Sequence, residues 1–187
     1  MKKNKGQFGY RDSNKRFRLM LVLIFAAAIL AQLAARNLTD SQSAKNILTV
    51  MAILTVLPMA NLASPLLASW KYKTPPVSFY EKIHPYEEKC TILYDLIVTT
   101  KDYVMPMDAV AVHPNGVFAY CAKSVDTTKA EKAINQIFIN NKLDPNVKII
   151  KDEHGVLRRL DSLKPEESYE DDGTVAYAAN LMKNLSM

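Results

Sequence analysis

The sequence predicts two transmembrane α-helices followed by a small cytoplasmic α/β domain. Three observations predict it. Residues 19 to 70 are almost free of charge, whereas residues 74 to 187 are mixed and polar. The first 18 residues carry seven basic groups against one acid, Asp12. Downstream, runs of β-branched and apolar residues alternate with segments of helical periodicity, the pattern of a mixed sheet with covering helices.

The net charge of +5 is concentrated in that N-terminal stretch, which holds +6, so the rest sums to −1. From Thr74 onward, 13 basic residues face 17 acidic ones, a balance of −4. A basic chain often binds nucleic acid, but here the excess lies beside an apolar segment and fits membrane topology. Two cysteines, Cys90 and Cys121, make neither a disulfide framework nor a zinc signature, and read as reduced thiols.

Residues 1 to 18 lack apolar periodicity and are expected to form a basic, disordered cytoplasmic tail. Residues 19 to 71 form the expected transmembrane hairpin. Leu19 to Ala35 is apolar except for Gln32, at 17 residues near the lower limit for a span. A second apolar run extends from about Ile47 to Trp70. A signal peptide is the competing reading of the first run, but the second would still anchor the product. Lys and Arg counts place both termini in the cytoplasm and the short loop, with Arg36 and Lys45, outside. Trp70 and Tyr72, beside Lys71 and Lys73, are the candidate interfacial anchors. Pro58, Asn61 and Pro65 interrupt the second run. A kinked helix explains them, because no Asp, Glu, Lys or Arg marks a transport path inside either span.

Residues 74 to 163 form the expected α/β domain. Thr74-Pro75-Pro76 is a stiff linker, and Ser78 to Lys89 reads as one or two short helices punctuated by Pro85. Thr91 to Thr99 is a β-branched strand. Met105 to His113 is a second strand, whose alternation puts Asp108, Val110 and Val112 on one face and Met107, Ala109, Ala111 and His113 on the other. Pro114-Asn115-Gly116 is a turn, and Val117 to Lys123 returns as a third strand. Asp126 is the N-cap of a helix carrying Ala130, Ala133, Ile134, Ile137 and Phe138. Val147 to Ile150 is a short fourth strand, and Val156, Leu157, Leu160 and Leu163 mark a further amphipathic helix. Residues 164 to 187 are an acidic loop and a last helix, with Asp172 as its cap and Val175, Ala178, Ala179, Met182 and Leu185 as its stripe.

From Ser78 to Ile150 the order helix, three strands, helix, strand resembles the core of the PD-(D/E)xK nuclease superfamily. The local pattern is similar to the nuclease-related domain: Asp108, then Ala109 to Val112, then His113-Pro114-Asn115-Gly116-Val117-Phe118, then Ala119 to Lys123. The resemblance implies that Asp108 and a following Glu hold a divalent metal and that Lys123 positions water. The Glu position is occupied by Cys121, a soft ligand poorly suited to Mg²⁺. Glu81, Glu87 and Glu88 are candidates for an upstream acid.

The expectation is therefore a degenerate nuclease-like fold without catalysis or cofactor, serving as a membrane-anchored interaction or scaffold module. Its partners are the membrane and a protein, another copy of the chain included. With no basic stripe in the domain, nucleic acid is not expected. One alternative is a Mg²⁺-dependent membrane-tethered nuclease using Asp108 and Lys123. Another is an accessory or regulatory subunit of a membrane complex, working through the helix pair. His84, His113 and His154 lack metal-ligand spacing. Cys121 and His113 fall on opposite faces by alternation.

Overall fold

The computed structural model describes residues 3–100, 103–122, 126–170 and 172–187. They form two units. The first comprises Lys3–Arg11 and Lys73–Met187, and the second Asp12–Tyr72.

The second unit is a pair of long apolar helices. Helix α1 spans Tyr10–Leu38 (29 residues) and enters this unit at Asp12; helix α2 spans Gln42–Ser69 (28 residues). Both are long and apolar enough to cross a membrane. Within the unit, Ala52, Thr55 and Leu66 of α2 recur at helical spacing as its more covered positions. Gln32, the one polar residue of the first apolar run, donates to Thr55 Oγ1 at 3.3 Å. That bond pairs the carboxamide with the facing helix inside an otherwise apolar pair. Pro58 and Pro65 lie inside α2, which continues through both.

The first unit is a four-stranded mixed sheet between helices. Strands β1 (Thr91–Thr99), β2 (Val104–His113) and β3 (Gly116–Tyr120) form an antiparallel meander, and β4 (Val147–Ile150) joins parallel to β3, in the order β1-β2-β3-β4. On one face lie helices α4 (Thr127–Asn140) and α6 (Thr174–Leu185), burying Ala130, Ile134, Phe138, Ala178 and Met182 against Val110, Val112, Val117 and Ala119. On the other lie α3 (Val77–Ile83), a 3-10 turn at His84–Glu88, and α5 (Glu153–Asp161). There Phe79, Ile83, Val156 and Leu160 pack on Ala109, Ala111, Phe118 and Tyr120.

Local chemistry accounts for the boundaries. Pro85 turns the chain from α3 into the 3-10 segment. Asp126 accepts the Lys129 N–H and starts α4. Gly116 closes the β2–β3 hairpin with φ +132°, where a Cβ would stand 2.6 Å from the Asn146 carbonyl oxygen. Asp172 accepts from Thr174 N–H and Oγ1–H, with Gly173 (φ +75°) as the capping residue of α6.

Three expectations are corrected. The N-terminal tail is not disordered over its described length, because residues 3–11 belong to the sheet unit and α1 begins at Tyr10. Backbone bonding and aromatic packing both order it: Tyr94 N–H donates to the Gly6 carbonyl at 2.8 Å, and the Phe8 ring stacks on Tyr80 with centroids 4.7 Å apart. The boundary expected at Leu163 is not structural, because α6 contributes to the same core as α4. The regular alternation of β2 fails as well. Met105 and Met107 share a core with Val110 and Val112, so the strand changes face between residues 107 and 110. Strand β1 changes face at the same level, with Leu93, Leu96 and Val98 in one cluster and Tyr94 in the other. Asp95, at φ +58°, has left-handed backbone that breaks the pleat there.

Candidate functional site

The break in the pleat is where the chemistry gathers. The ladder pairs Tyr94 with Ala109 and Leu96 with Met107, which sets Asp95 level with Asp108 on the neighbouring strand. Asp95 is fully buried, deep in a strand that is otherwise apolar. The N-terminal segment reaches this rung and delivers one cation, Arg11, itself only 3% exposed.

The Arg11 guanidinium lies among oxygens. Nη1 donates to Asp108 Oδ1 at 2.5 Å and to the Lys73 carbonyl at 3.1 Å. Nη2 donates to the Leu96 carbonyl at 2.9 Å and the Met107 carbonyl at 2.6 Å, one on each strand. Nε lies 3.8 Å from Asp95 Oδ1, an ion pair without a hydrogen bond. The planar five-donor fork of Arg is what makes so many simultaneous contacts possible.

Asp95 Oδ2 accepts the Gly9 N–H at 2.7 Å and the Thr74 hydroxyl at 2.8 Å. Its carboxylate thus meets backbone donors at the start of α1, where an anion is favoured. Burial pushes the Asp95 carboxyl above its ordinary range, with Arg11, Thr74 and Gly9 pulling the other way. Taken together, Arg11 and Asp95 tie the N-terminal segment, the Lys73–Thr74 backbone and two sheet strands to one point. The two stretches of chain that flank residues 12–72 are held side by side.

Sequence reasoning found Asp108 but missed Arg11 and Asp95. The lone acid in the run Thr91 to Thr99 was the available signal for Asp95. Cys121 follows β3 and is buried in the core beneath α4; continuing the β2–β3 register by one rung sets it opposite Asp108. Lys123 lies outside the described residues. Cys90 is also a free buried thiol, and burial pushes it up to about 12. Of the candidate upstream acids, Glu87 accepts from Tyr94 Oη at 2.7 Å and pairs with His84 at 3.0 Å. Desolvation, reinforced by Glu87, raises the Tyr94 phenol. Glu81 lies in α3 and Glu88 ends the 3-10 turn, and neither joins Asp108 in a ligand group.

The three histidines stay apart, in the 3-10 turn, in β2 and in α5. His113 accepts the Asn115 N–H at Nδ1 (3.1 Å) while Nε2 donates to the Lys164 carbonyl (2.9 Å), which fixes the neutral tautomer and braces the hairpin turn. A cleft of about 560 Å³ beside that turn is lined by His113, Asn115, Lys142, Asn146, Arg159 and Tyr169 among others. Three of its polar side chains are engaged there: Asn115 Nδ2 donates to Tyr169 Oη at 2.9 Å, and Asn146 Nδ2 donates to the Asn115 backbone carbonyl. In the helix pair, Trp70 is 56% exposed, whereas Tyr72 is buried and its carbonyl accepts from Lys15. Of the two expected anchors, Trp70 is the one whose ring is exposed.

The residues do not fit the Mg²⁺ that the nuclease resemblance implies. Asp108 is engaged by a guanidinium, the position of the second carboxylate is a buried thiol, and among the described residues no group of three or more His, Cys, Asp or Glu is placed to hold an ion.

Comparison with protein-family models, curated proteins and solved structures finds no match. The arrangement of residues alone therefore carries the functional argument.

Proposed function

We propose that this chain is a membrane-anchored scaffold or interaction module, non-catalytic, built on a degenerate nuclease-like domain that stands with both termini in the cytoplasm. One observation carries the reading. Asp108, the carboxylate that the nuclease resemblance assigns to a metal, is neutralised by Arg11 from the N-terminal segment at 2.5 Å. A permanently charged guanidinium does there what a divalent cation does in an active nuclease, but offers no open position for water. The same guanidinium binds the Lys73 carbonyl, so both ends of the helix pair leave one point of the domain. That supports an even number of membrane crossings and a common side for the two ends. Seven basic residues ahead of the first span favour the cytoplasm for that side.

The partner is a protein, with a second copy of the chain as one form of it. Both sheet edges are occupied by the chain itself, so recognition proceeds through helical faces rather than by strand addition.

The test uses full-length protein in detergent micelles. Titration with Mg²⁺ and Mn²⁺ gives no binding heat, no cleavage of single- or double-stranded DNA is detected, and tags at both ends stay protected in right-side-out vesicles. Metal-dependent cleavage that Asp108→Ala abolishes would establish the nuclease alternative instead. A tag exposed outside would overturn the topology.

A further inference from the structure

We infer that α2 carries a self-association surface centred on Asn61, at which two copies of this chain pair inside the membrane; this rests on the membrane reading above. Two features of α2 point there. Pro65 has no N–H, so the Asn61 carbonyl four residues earlier loses its helical donor. The Asn61 side chain is exposed and makes no hydrogen bond among the described residues. One residue thus presents a carbonyl without its helical donor and a carboxamide with both donors and acceptors, eight positions before the helix ends at Ser69. In hydrocarbon no water satisfies them, and each unsatisfied group costs several kcal/mol.

The position on the helix matters as much. Ala52, Thr55 and Leu66 share the more covered side of α2, on which Thr55 meets Gln32 of α1. At 100° per residue, Asn61, Ser64, Ala68 and Leu57 stand on the opposite side, and all four are exposed. The hairpin has already used its own polar pair, Gln32 with Thr55, on the inner face. The outer face keeps a polar residue with no such partner, flanked one turn on by Ser64 and two turns on by Ala68. Small side chains at that spacing let a second helix approach closely.

A second copy fits this face because a carboxamide is self-complementary. Across a two-fold axis each Asn61 donates to the other and accepts from it, and the contact closes at two. An ion-conducting path is a poor fit, since no charged residue lies between Leu19 and Ala35 or between Ile47 and Trp70.

The experiment follows donor–acceptor energy transfer between full-length molecules labelled at an added C-terminal tag, reconstituted into lipid vesicles over a range of protein-to-lipid ratios. Wild type gives saturable transfer that fits a dimer. Asn61→Leu weakens the dimer roughly 3- to 20-fold, the range of a single interhelical hydrogen bond in a bilayer. Asn61→Gln, which keeps the carboxamide, retains most of the affinity, and Asn46→Leu, outside the apolar run, leaves it unchanged. Transfer that rises only with crowding, or is equal in wild type and Asn61→Leu, overturns the dimer while leaving the membrane reading intact. Protein that floats free of the vesicles overturns both. Cysteine crosslinking from Ser64→Cys in native membranes gives a product of twice the chain mass; a product with a different protein instead overturns self-pairing.

Discussion

Glu131 Oε1 accepts the Ile149 N–H at 2.7 Å. The acid belongs to α4 and the donor to β4, the last strand of the sheet. One turn further along the same helix, Asn135 Oδ1 accepts the Val147 N–H at 2.9 Å. Two side chains at i and i+4 thereby fill the outward donors of an edge strand that would otherwise pair with another chain. At the far edge the chain's own ends do the same for β1: the Tyr94 N–H meets Gly6, the Ile97 N–H meets Ser186 Oγ, and the Ile97 carbonyl accepts the Met187 N–H.

Removing the α4 cap exposes the edge. Glu131→Ala and Asn135→Ala together destabilise the domain by about 1–3 kcal/mol, through lost hydrogen bonds to buried donors. They also raise the rate of thioflavin-positive aggregation in detergent-solubilised protein. Glu131→Gln, which keeps an acceptor oxygen, restores wild-type behaviour; aggregation equal to the double mutant would separate the effect from the hydrogen bond.

Arg11 bonds to Asp108, to Lys73 and to both strands of the buried cluster. Arg11→Ala leaves Asp108 and Asp95 without their cation and costs about 3–5 kcal/mol. Arg11→Lys recovers only part, because an ammonium does not span two strands and a carboxylate at once. Thermal unfolding of the full chain, followed by near-ultraviolet circular dichroism, reads the difference. A melting temperature unchanged in Arg11→Ala would show that the guanidinium contributes nothing to folding.

Stability carries a pH signature from Asp95. Its carboxyl is raised by burial above the ordinary value of 3.8, so the folded state holds this proton to a higher pH than the unfolded chain does. The Asp95 contribution is therefore full below the unfolded value and is lost as pH rises through the folded one. Denaturant midpoints measured from pH 4 to 7 fall with rising pH by an Asp95-dependent amount. Asp95→Asn removes that component, so the difference between wild type and variant narrows toward neutral pH or changes sign. A difference independent of pH would contradict the assignment.

Cys90 and Cys121 are both buried and in no disulfide, and the Cys90 thiol is pushed up to about 12. Labelling by a disulfide reagent at pH 8 is slow in the folded chain and releases two thiols only after denaturation. Fast labelling of either residue in native protein would contradict the packing.

Gly116→Ala is a local test of the hairpin. The residue has φ +132°, and a Cβ would meet the backbone of Asn146 at 2.6 Å. The variant loses about 1–3 kcal/mol, since neither the turn nor the β4 approach can yield cheaply. An unchanged midpoint would mean that the Asn146 loop moves aside.

Periodicity and turn chemistry made much of the fold legible. The two apolar helices, the order of the elements after Thr74, the Asp126 cap and the turn at Asn115-Gly116 all follow from local signals. The candidate site was legible only at Asp108. Arg11 sat in a stretch that looked featureless, because its order comes from backbone bonds, the ring contacts of Phe8 and two long-range ion pairs, none of which leaves a periodic trace. The face change in β1 and β2 was hidden for a related reason. Alternation assumes an unbroken pleat, and the left-handed turn at Asp95 is decided by what the carboxylate binds, 86 residues away at Gly9. A charged residue inside an otherwise apolar strand was the one visible mark.

The separation of Arg11 from Asp108 by 97 positions sets a schedule for biosynthesis. Arg11 leaves the ribosome early and its acceptor strand much later, at typical synthesis rates about 5–20 seconds behind. Throughout that interval both apolar segments are made while the sheet domain has no cation at its centre. The sheet domain therefore closes around a residue made before both apolar segments. A chain that begins after Arg11 would leave both Asp95 and Asp108 without their cation.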